Sequence, residues 1–149
     1  MVSRFEHFSA SISGISRYIQ KIERTEMEKY GLKGASAQCL LAMQRYPDGI
    51  TAARLCEVCD KDKAAISRIL AELEEKNMVC RDDVGPMRYR AMLKLTELGM
   101  EAAEHVEQKA KQAVEEVGAG LTDEQRSVMY AALDLIAGNL QMISVKGLK

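Results

Sequence analysis

A predicted helix in the middle of the chain carries residue types that could contact a DNA duplex. Four of them share one face near the start of the helix: Lys63, Ala64, Ser67 and Arg68. Small side chains permit close approach to a major groove, while a hydroxyl and two cations can reach base edges or phosphates. The opposite face is apolar and is expected to pack inward: Ile66, Ile69, Leu70 and Leu73. The residue pattern of this helix therefore predicts recognition of bases in a DNA duplex.

A second cationic group lies where the apolar period changes from helical to alternating. The alternating residues on its cationic side are Arg88, Arg90, Met92 and Lys94, and on its apolar side Tyr89, Ala91, Leu93 and Leu95. This alternation predicts a strand, and Gly85-Pro86 predicts a hairpin turn between it and residues 80–84. A protruding hairpin with arginines suits a minor groove or its flanking phosphates. An ordinary solvated hairpin is the alternative.

The four cysteines offer a different chemistry, because Cys56 and Cys59 form a C-x-x-C within a predicted helix. A thioredoxin-like site would need a βαβ context, which the pattern does not provide. A zinc site would need further ligands nearby, and the two histidines of the chain are His7 and His105. We therefore expect packing roles for Cys56 and Cys59. Redox sensing by Cys56, Cys59 or Cys80 is the alternative.

Other classes of function find little support in the sequence. It contains no nucleophile, base and orienting residue at a readable spacing and no glycine-rich phosphate loop, so neither an enzyme nor a cofactor is expected. The net charge is −1, so DNA binding would depend on local charge. No apolar run approaches the ~20 residues that cross a bilayer, and residues 1–10 lack the order of a signal peptide. A cytoplasmic protein without a membrane partner is expected.

Short elements must hold the cationic face in place. Apolar residues make up 47% of the chain and aromatic residues 5%, with helix formers abundant, so the composition favours helices. Thr51 is a good N-cap for a helix to about Val58, Asp60-Lys61 forms a turn, and Asp62 can cap the following helix. Helix, tight turn, helix and hairpin together predict a winged helix-turn-helix head over about residues 34–96.

Long amphipathic helices flank this head. Apolar residues three and four apart predict a helix over about residues 5–30: Phe5, Phe8, Ile12, Ile15, Ile19 and Ile22. Similar stripes run through about residues 97–143, with a break at Gly118-Ala119-Gly120. Such a stripe requires another helix against it. On the residues alone, packing within the chain and a seam between two chains remain equally open.

The sequence resembles MarR-type transcriptional regulators over nearly its whole length. One motif is Asp62-Lys63-Ala64-Ala65-Ile66-Ser67-Arg68, followed by Leu73 and by Lys76–Val79. The other is Tyr89–Gly99, which is similar to the wing strand of the family running into Leu-Thr-x-x-Gly. The resemblance implies a mainly α fold with a small β-hairpin wing. One domain, residues 1–149, would combine the winged helix-turn-helix head with N- and C-terminal dimerisation helices.

The resemblance also implies a function and its residues. The function would be that of a homodimeric, sequence-specific DNA-binding regulator, a repressor on a pseudo-palindromic operator, modulated by a small-molecule effector. The implied DNA-binding residues are Lys63, Ala64, Ala65, Ser67 and Arg68 of the recognition helix and Arg88 and Arg90 of the wing. Which arginine reaches the groove stays open, because the wing departs from the Asp-x-Arg of the family. Candidate effector-binding residues are Arg17, Tyr18, Tyr30 and Met43. A winged-helix protein-interaction module without DNA binding is the alternative.

Overall fold

The structure is a computed structural model that describes residues 3–82 and 91–148. Its elements in chain order are α1 Arg4–Glu28, α2 Ser36–Gln44, α3 Ala52–Cys59, α4 Lys63–Glu75, β1 Val79–Asp82, β2 Met92–Leu95, α5 Glu97–Val117 and α6 Asp123–Lys146. This order confirms the prediction of a mainly helical chain with one small hairpin. The chain divides into two compact units after Lys109.

Local capping signals fix where several helices begin. Thr51, Asp62 and Thr122 each accept the backbone N–H three residues further on, at the starts of α3, α4 and α6. The side-chain oxygen of Gln125 also accepts the backbone N–H of Thr122, which completes a capping box. Each of these caps satisfies an N–H that the first helical turn leaves without a partner. The caps at Thr51 and Asp62 were predicted from the sequence.

The core of the head forms where α2, α3 and α4 meet the hairpin. The side chains that pack there include Leu40 of α2, Leu55 of α3, Leu73 of α4 and Leu93 of β2, all fully buried. Ile66, Ile69 and Leu70 join them, so the apolar face predicted for α4 does point inward. Removal of this surface from water is the main contribution that holds the head together.

The two strands form an antiparallel hairpin whose paired residues are Val79–Leu95, Cys80–Lys94, Arg81–Leu93 and Asp82–Met92. Ile50 extends the sheet through a bridge to Leu93, with N···O distances of 3.0 and 2.8 Å. The alternation predicted from the sequence holds over residues 91–93, because Ala91 and Leu93 are buried while Met92 is exposed, whereas Lys94 and Leu95 are both half-buried. The predicted turn at Gly85-Pro86 lies outside the described residues.

Thr96 joins the hairpin and α5 to the end of α4. Its hydroxyl donates to the carbonyl of Asn77 at 2.6 Å and accepts the N–H of Gly99 at 3.1 Å. Asn77 has a left-handed backbone with φ of 59°, which lets the chain turn out of α4 into β1. The backbone N–H of Thr96 also bonds the carbonyl of Met78 at 2.9 Å. One threonine thus fixes the start of α5 against the head.

A polar cluster ties the end of α1 to α5. Glu26 accepts a bond from Lys29 at 2.7 Å and lies 2.9 Å from Nε2 of His105. The hydrogen bond from Lys29, and after it the one with His105, hold the pKa of the Glu26 carboxyl below its usual range. Tyr30 packs edge-on against the His105 ring, with the ring centroids 5.6 Å apart. His105 is therefore half-buried, with a carboxylate partner in α1.

The apolar stripe of α1 has no cover within its own unit. The side chains of Phe5, Phe8, Ile12, Ile15, Ile19 and Ile22 are between 40% and 76% exposed. In the second unit α6 buries none of its residues, and Met129, Leu133, Leu140 and Ile143 are exposed. Two long apolar surfaces are thus open to a partner.

The α6 helix requires a correction to the sequence analysis. It is long and apolar enough to cross a membrane by length and composition, with a mean hydropathy of 1.4 in an 18-residue window. The reason is that Asp134 is the one charged residue between Ser127 and Val145. The expectation that no apolar run approaches bilayer length is therefore wrong for α6 on this measure. The apolar surface of α6 could face lipid in a membrane or pack against another helix.

We expect Gly99→Ala to destabilise the chain strongly. A Cβ at residue 99 would lie 2.0 Å from the carbonyl oxygen of Met78, which is backbone and cannot rotate away. Overpacking of this kind costs about 1–3 kcal/mol or more, so the urea midpoint should fall clearly. Gly14→Ala is the matched control in α1, where the nearest atom is the end of the Arg17 side chain at 4.0 Å. Equal midpoints for the two variants would contradict the packing at Gly99.

Candidate nucleic-acid interface

The predicted duplex-reading face of α4 is open to solvent. Lys63, Ala64, Ser67 and Arg68 are all exposed, and Ala65 is half-buried. The opposite face of the same helix is buried in the core of the head. Two cations, a hydroxyl and small side chains are therefore presented outward together, as the sequence predicted.

The open face of α4 extends one turn further than the sequence analysis proposed. Ala71 is exposed and follows Lys63 and Ser67 at four-residue steps, so the three residues lie along one side of the helix. The four-residue spacing was readable in the sequence, but the resemblance motif ends at Arg68. Ala71 adds a small residue that would let a duplex approach the second turn.

The turn between α3 and α4 fixes the start of the candidate reading helix. Asp60 adopts a left-handed conformation, with φ of 51° and ψ of 51°, and ends α3. The N–H of Lys61 bonds the carbonyl of Cys56 at 3.1 Å. Asp62 Oδ1 then accepts the N–H of Ala65 at 2.7 Å and begins α4. Besides glycine, asparagine and aspartate are the residues that adopt the left-handed region most often, which is consistent with an aspartate at residue 60.

Acidic residues in the later turns of α4 have partners in the head itself. Glu72 accepts the backbone N–H of Lys33 at 3.1 Å. Glu74 forms an ion pair with the guanidinium of Arg81 on β1. These contacts use two of the three carboxylates of α4 for internal bonds and leave its first two turns cationic.

The wing is described only in part. Its two predicted groove residues, Arg88 and Arg90, lie outside the described residues. Of the hairpin cations that the structure describes, Arg81 pairs with Glu74, and Lys94 Nζ lies 3.4 Å from a carboxylate oxygen of Asp82. The roles of Arg88 and Arg90 thus stay predictions.

The candidate effector residues occupy different environments. The Arg17 guanidinium lies over the exposed Tyr18 ring, 5.2 Å from its centroid. Tyr30 packs on His105, and Met43 is only 2% exposed within the core. None of the four lines the cavity of about 380 Å³ beside α2 and α3. Their assignment to an effector site stays a prediction.

Two thiols meet inside the head. Cys39 of α2 is fully buried, and its Sγ lies 3.8 Å from Sγ of Cys59, the last residue of α3. Cys56 and Cys59 were the pair that stood out by spacing in the sequence, yet the thiol that contacts Cys59 is that of Cys39, 20 residues earlier. Among the described residues, no group of three possible ligands is placed to hold a metal ion.

Comparison with known proteins shows which family the head of the chain resembles. Residues 30–85 match the model of the MarR family. The MarR resemblance is confirmed. A curated protein of Thauera aromatica, named as a transcriptional regulatory protein for the hcr operon, is 26% identical over 122 residues. That match covers 82% of this chain and 70% of the relative.

Solved structures extend the resemblance in fold beyond the head. A MarR protein from Peptoclostridium difficile has a TM-score of 0.85 at 19% identity, covering 98% of this chain and 96% of its own. A Staphylococcus aureus MepR–DNA complex has a TM-score of 0.80 at 18% identity, covering 89% of this chain and 97% of its own. A MarR family regulator from Listeria monocytogenes complexed with a 26mer DNA has the same score and identity, covering 100% and 98%. At these identities the likeness shows a shared winged helix fold.

We expect Asp62→Ala to loosen the start of α4 while Asp62→Asn leaves it largely intact. Loss of the cap leaves the N–H of Ala65 without its side-chain partner, which costs about 1 kcal/mol, whereas asparagine caps about as well as aspartate. Urea unfolding and amide exchange at residues 63–66 would measure the effect. Equal protection in the alanine and asparagine variants would contradict a structural role for this cap.

Proposed function

We propose that the chain is a homodimeric, sequence-specific DNA-binding transcriptional regulator, and that α4 is its reading helix. The observation that carries the proposal is the exposed face of Lys63, Ala64, Ser67, Arg68 and Ala71. A helix enters a major groove when its outward side chains are small enough for approach and polar enough to bond base edges. Two of the structures with this fold are complexes with DNA, which supports the same partner here.

A dimer is the second part of the proposal. The stripes of α1 and α6 expose many large apolar side chains, more than a monomer in water commonly leaves open. A second copy of the chain would cover them and would present two reading helices. Two such helices fit successive major grooves when they lie about one helical turn apart, ~34 Å. The matching operator would be pseudo-palindromic.

Regulation would act through that separation. A small-molecule effector that binds a differently spaced dimer more tightly would weaken DNA binding by its differential affinity. We infer a repressor from the family resemblance, with cytoplasmic location and no enzymatic activity. Arg88 and Arg90 are proposed as wing contacts, and Arg17, Tyr18, Tyr30 and Met43 as candidates near the effector.

DNA sequences selected from a random pool should be bound with a steep dependence on salt. Lys63→Ala and Arg68→Ala should each weaken binding and lower the salt slope by about one where the cation neutralises a phosphate. Ser67→Ala should blur sequence preference if its hydroxyl bonds a base. Lys76→Ala is the matched control, because it removes one positive charge at the far end of α4.

Fluorescence anisotropy over a salt series would measure these affinities. Wild-type binding by all of the Lys63, Ser67 and Arg68 variants would show that the reading face lies elsewhere. Selection of no DNA even at low salt would favour the winged-helix protein-interaction module instead.

A charge in the apolar stripe of α1 should separate the dimer. Ile15→Asp places a carboxylate on the exposed stripe, while Ala10→Asp places the same charge on the opposite side of α1. Sedimentation should give a dimer for the wild type and for Ala10→Asp, and a monomer with weaker DNA binding for Ile15→Asp. A monomeric wild type would overturn the dimer. A wild type that requires detergent to stay dispersed would favour a membrane for α6.

A further inference from the structure

We propose that Cys39 and Cys59 form a dithiol that hydroperoxides oxidise, with Cys59 oxidised first and Cys39 then closing a disulfide between α2 and α3. The oxidant is a hydrogen or alkyl hydroperoxide. The modification site goes beyond the proposed function, and its effect on DNA binding rests on that function.

The position of the two sulfurs carries the proposal. Their separation of 3.8 Å exceeds a disulfide bond of ~2.05 Å by only about 1.8 Å. Cys59 ends α3, where a small rotation of one terminal residue can shorten the distance. Cys56, one turn earlier on the same helix, is half-buried and packs against the core. The pair therefore needs a local adjustment rather than an unfolded head.

An oxidant can reach one thiol and not the other. The cavity of about 380 Å³ is lined by Cys59 together with Gln38, Leu41, Ala42, Gln44, Arg45, Val58 and Glu107. Cys39, by contrast, is 0% exposed. The cavity has apolar and polar walls that would admit a small hydroperoxide, and Cys59 is the thiol at its surface. Cys59 is thus the peroxide-reacting cysteine, and Cys39 is the resolving cysteine.

The surroundings also favour the thiolate at Cys59. The Cys39 thiol donates to Cys59 and, with the charges of Lys61 and Arg45, lowers the pKa of Cys59 to about 7. The same bond and burial raise the pKa of Cys39, which therefore stays protonated. Since the thiolate is the nucleophile, Cys59 should react at neutral pH. The proton donor in this bond is the group that later resolves the oxidised sulfur.

The chemistry balances in two steps. The Cys59 thiolate attacks one peroxide oxygen, an S–O bond forms, the O–O bond breaks, and hydroxide or alkoxide leaves and takes up a proton. Cys59 is then a sulfenic acid. Cys39 loses its proton and attacks the Cys59 sulfur, so an S–S bond forms while the S–O bond breaks and water leaves. Two thiols are oxidised and one peroxide is reduced to water, or to water and an alcohol.

The disulfide would act directly on the reading helix. Cys59 is followed by Asp60, the left-handed residue that ends α3, and Asp62 caps α4. The adjustment that brings Cys59 closer to Cys39 would be transmitted through this turn to the first turn of α4, where Lys63 lies. We expect oxidation to lower DNA affinity at least tenfold and reduction by dithiothreitol to restore it.

The test oxidises the reduced full-length protein with one equivalent of hydrogen peroxide at pH 7, followed by peptide mass mapping. The expected product loses two thiols per chain and contains a peptide linked through Cys39 and Cys59. Cys39→Ser should stop at a sulfenic acid that dimedone traps on Cys59, and Cys59→Ser should form neither product. Cys80→Ser, which changes an exposed cysteine of β1, should behave as wild type.

A pH series of the oxidation rate provides a readout that packing alone would not affect. The rate should rise with the thiolate fraction and reach half its maximum near pH 7. Oxidation that maps first to Cys80 or Cys56, or that is lost in Cys80→Ser, would overturn the proposal. A 39–59 disulfide with unchanged DNA affinity would keep the site and reject its effect on DNA. Reduced protein that binds no DNA would reject the proposed function, while the thiol products would still decide the chemistry.

Discussion

Burial of the apolar face of α4 fixes which face of that helix is left open to a partner. Ile66, Ile69, Leu70 and Leu73 lie in the core of the head, so rotation of the helix by a third of a turn would expose them. Full burial of each such side chain is worth about 1.5–3 kcal/mol, which is ample to fix the orientation. Lys63, Ser67 and Ala71 face outward as a consequence. The orientation of the proposed DNA-reading surface is thus a product of hydrophobic packing rather than of its own polar residues.

The same packing makes the turn before α4 a sensitive point. Asp60 and Asp62 set the end of α3 and the start of α4 through backbone conformation and one cap. Cys59 precedes them and lies against Cys39 of the neighbouring helix. Only three residues separate this thiol from the proposed reading helix, so a change at Cys59 can be transmitted to the start of α4. Regulation within the head would then be separate from any change in the spacing between two heads.

Periodic and local signals were readable from the sequence, whereas contacts between distant residues were not. The 3.6-residue period predicted the buried face of α4, and Thr51 and Asp62 predicted the starts of two helices. The contact between Cys39 and Cys59 spans 20 residues, and that between Glu26 and His105 spans 79. No spacing rule brings such residues together. For α6, the helical period concealed how few charges the stretch contains, because amphipathicity and mean hydropathy measure different properties.

The most direct measurement of the central claim uses Ala71→Cys, because residue 71 lies on the open face of α4 but outside the family motif. Its alkylation by iodoacetamide would be followed by peptide mapping with and without a selected DNA duplex, with Ala10→Cys on α1 as the control. If α4 enters a groove, DNA should slow alkylation at residue 71 at least tenfold and leave residue 10 unchanged. Equal rates at residue 71 with and without bound DNA would contradict the reading role of α4.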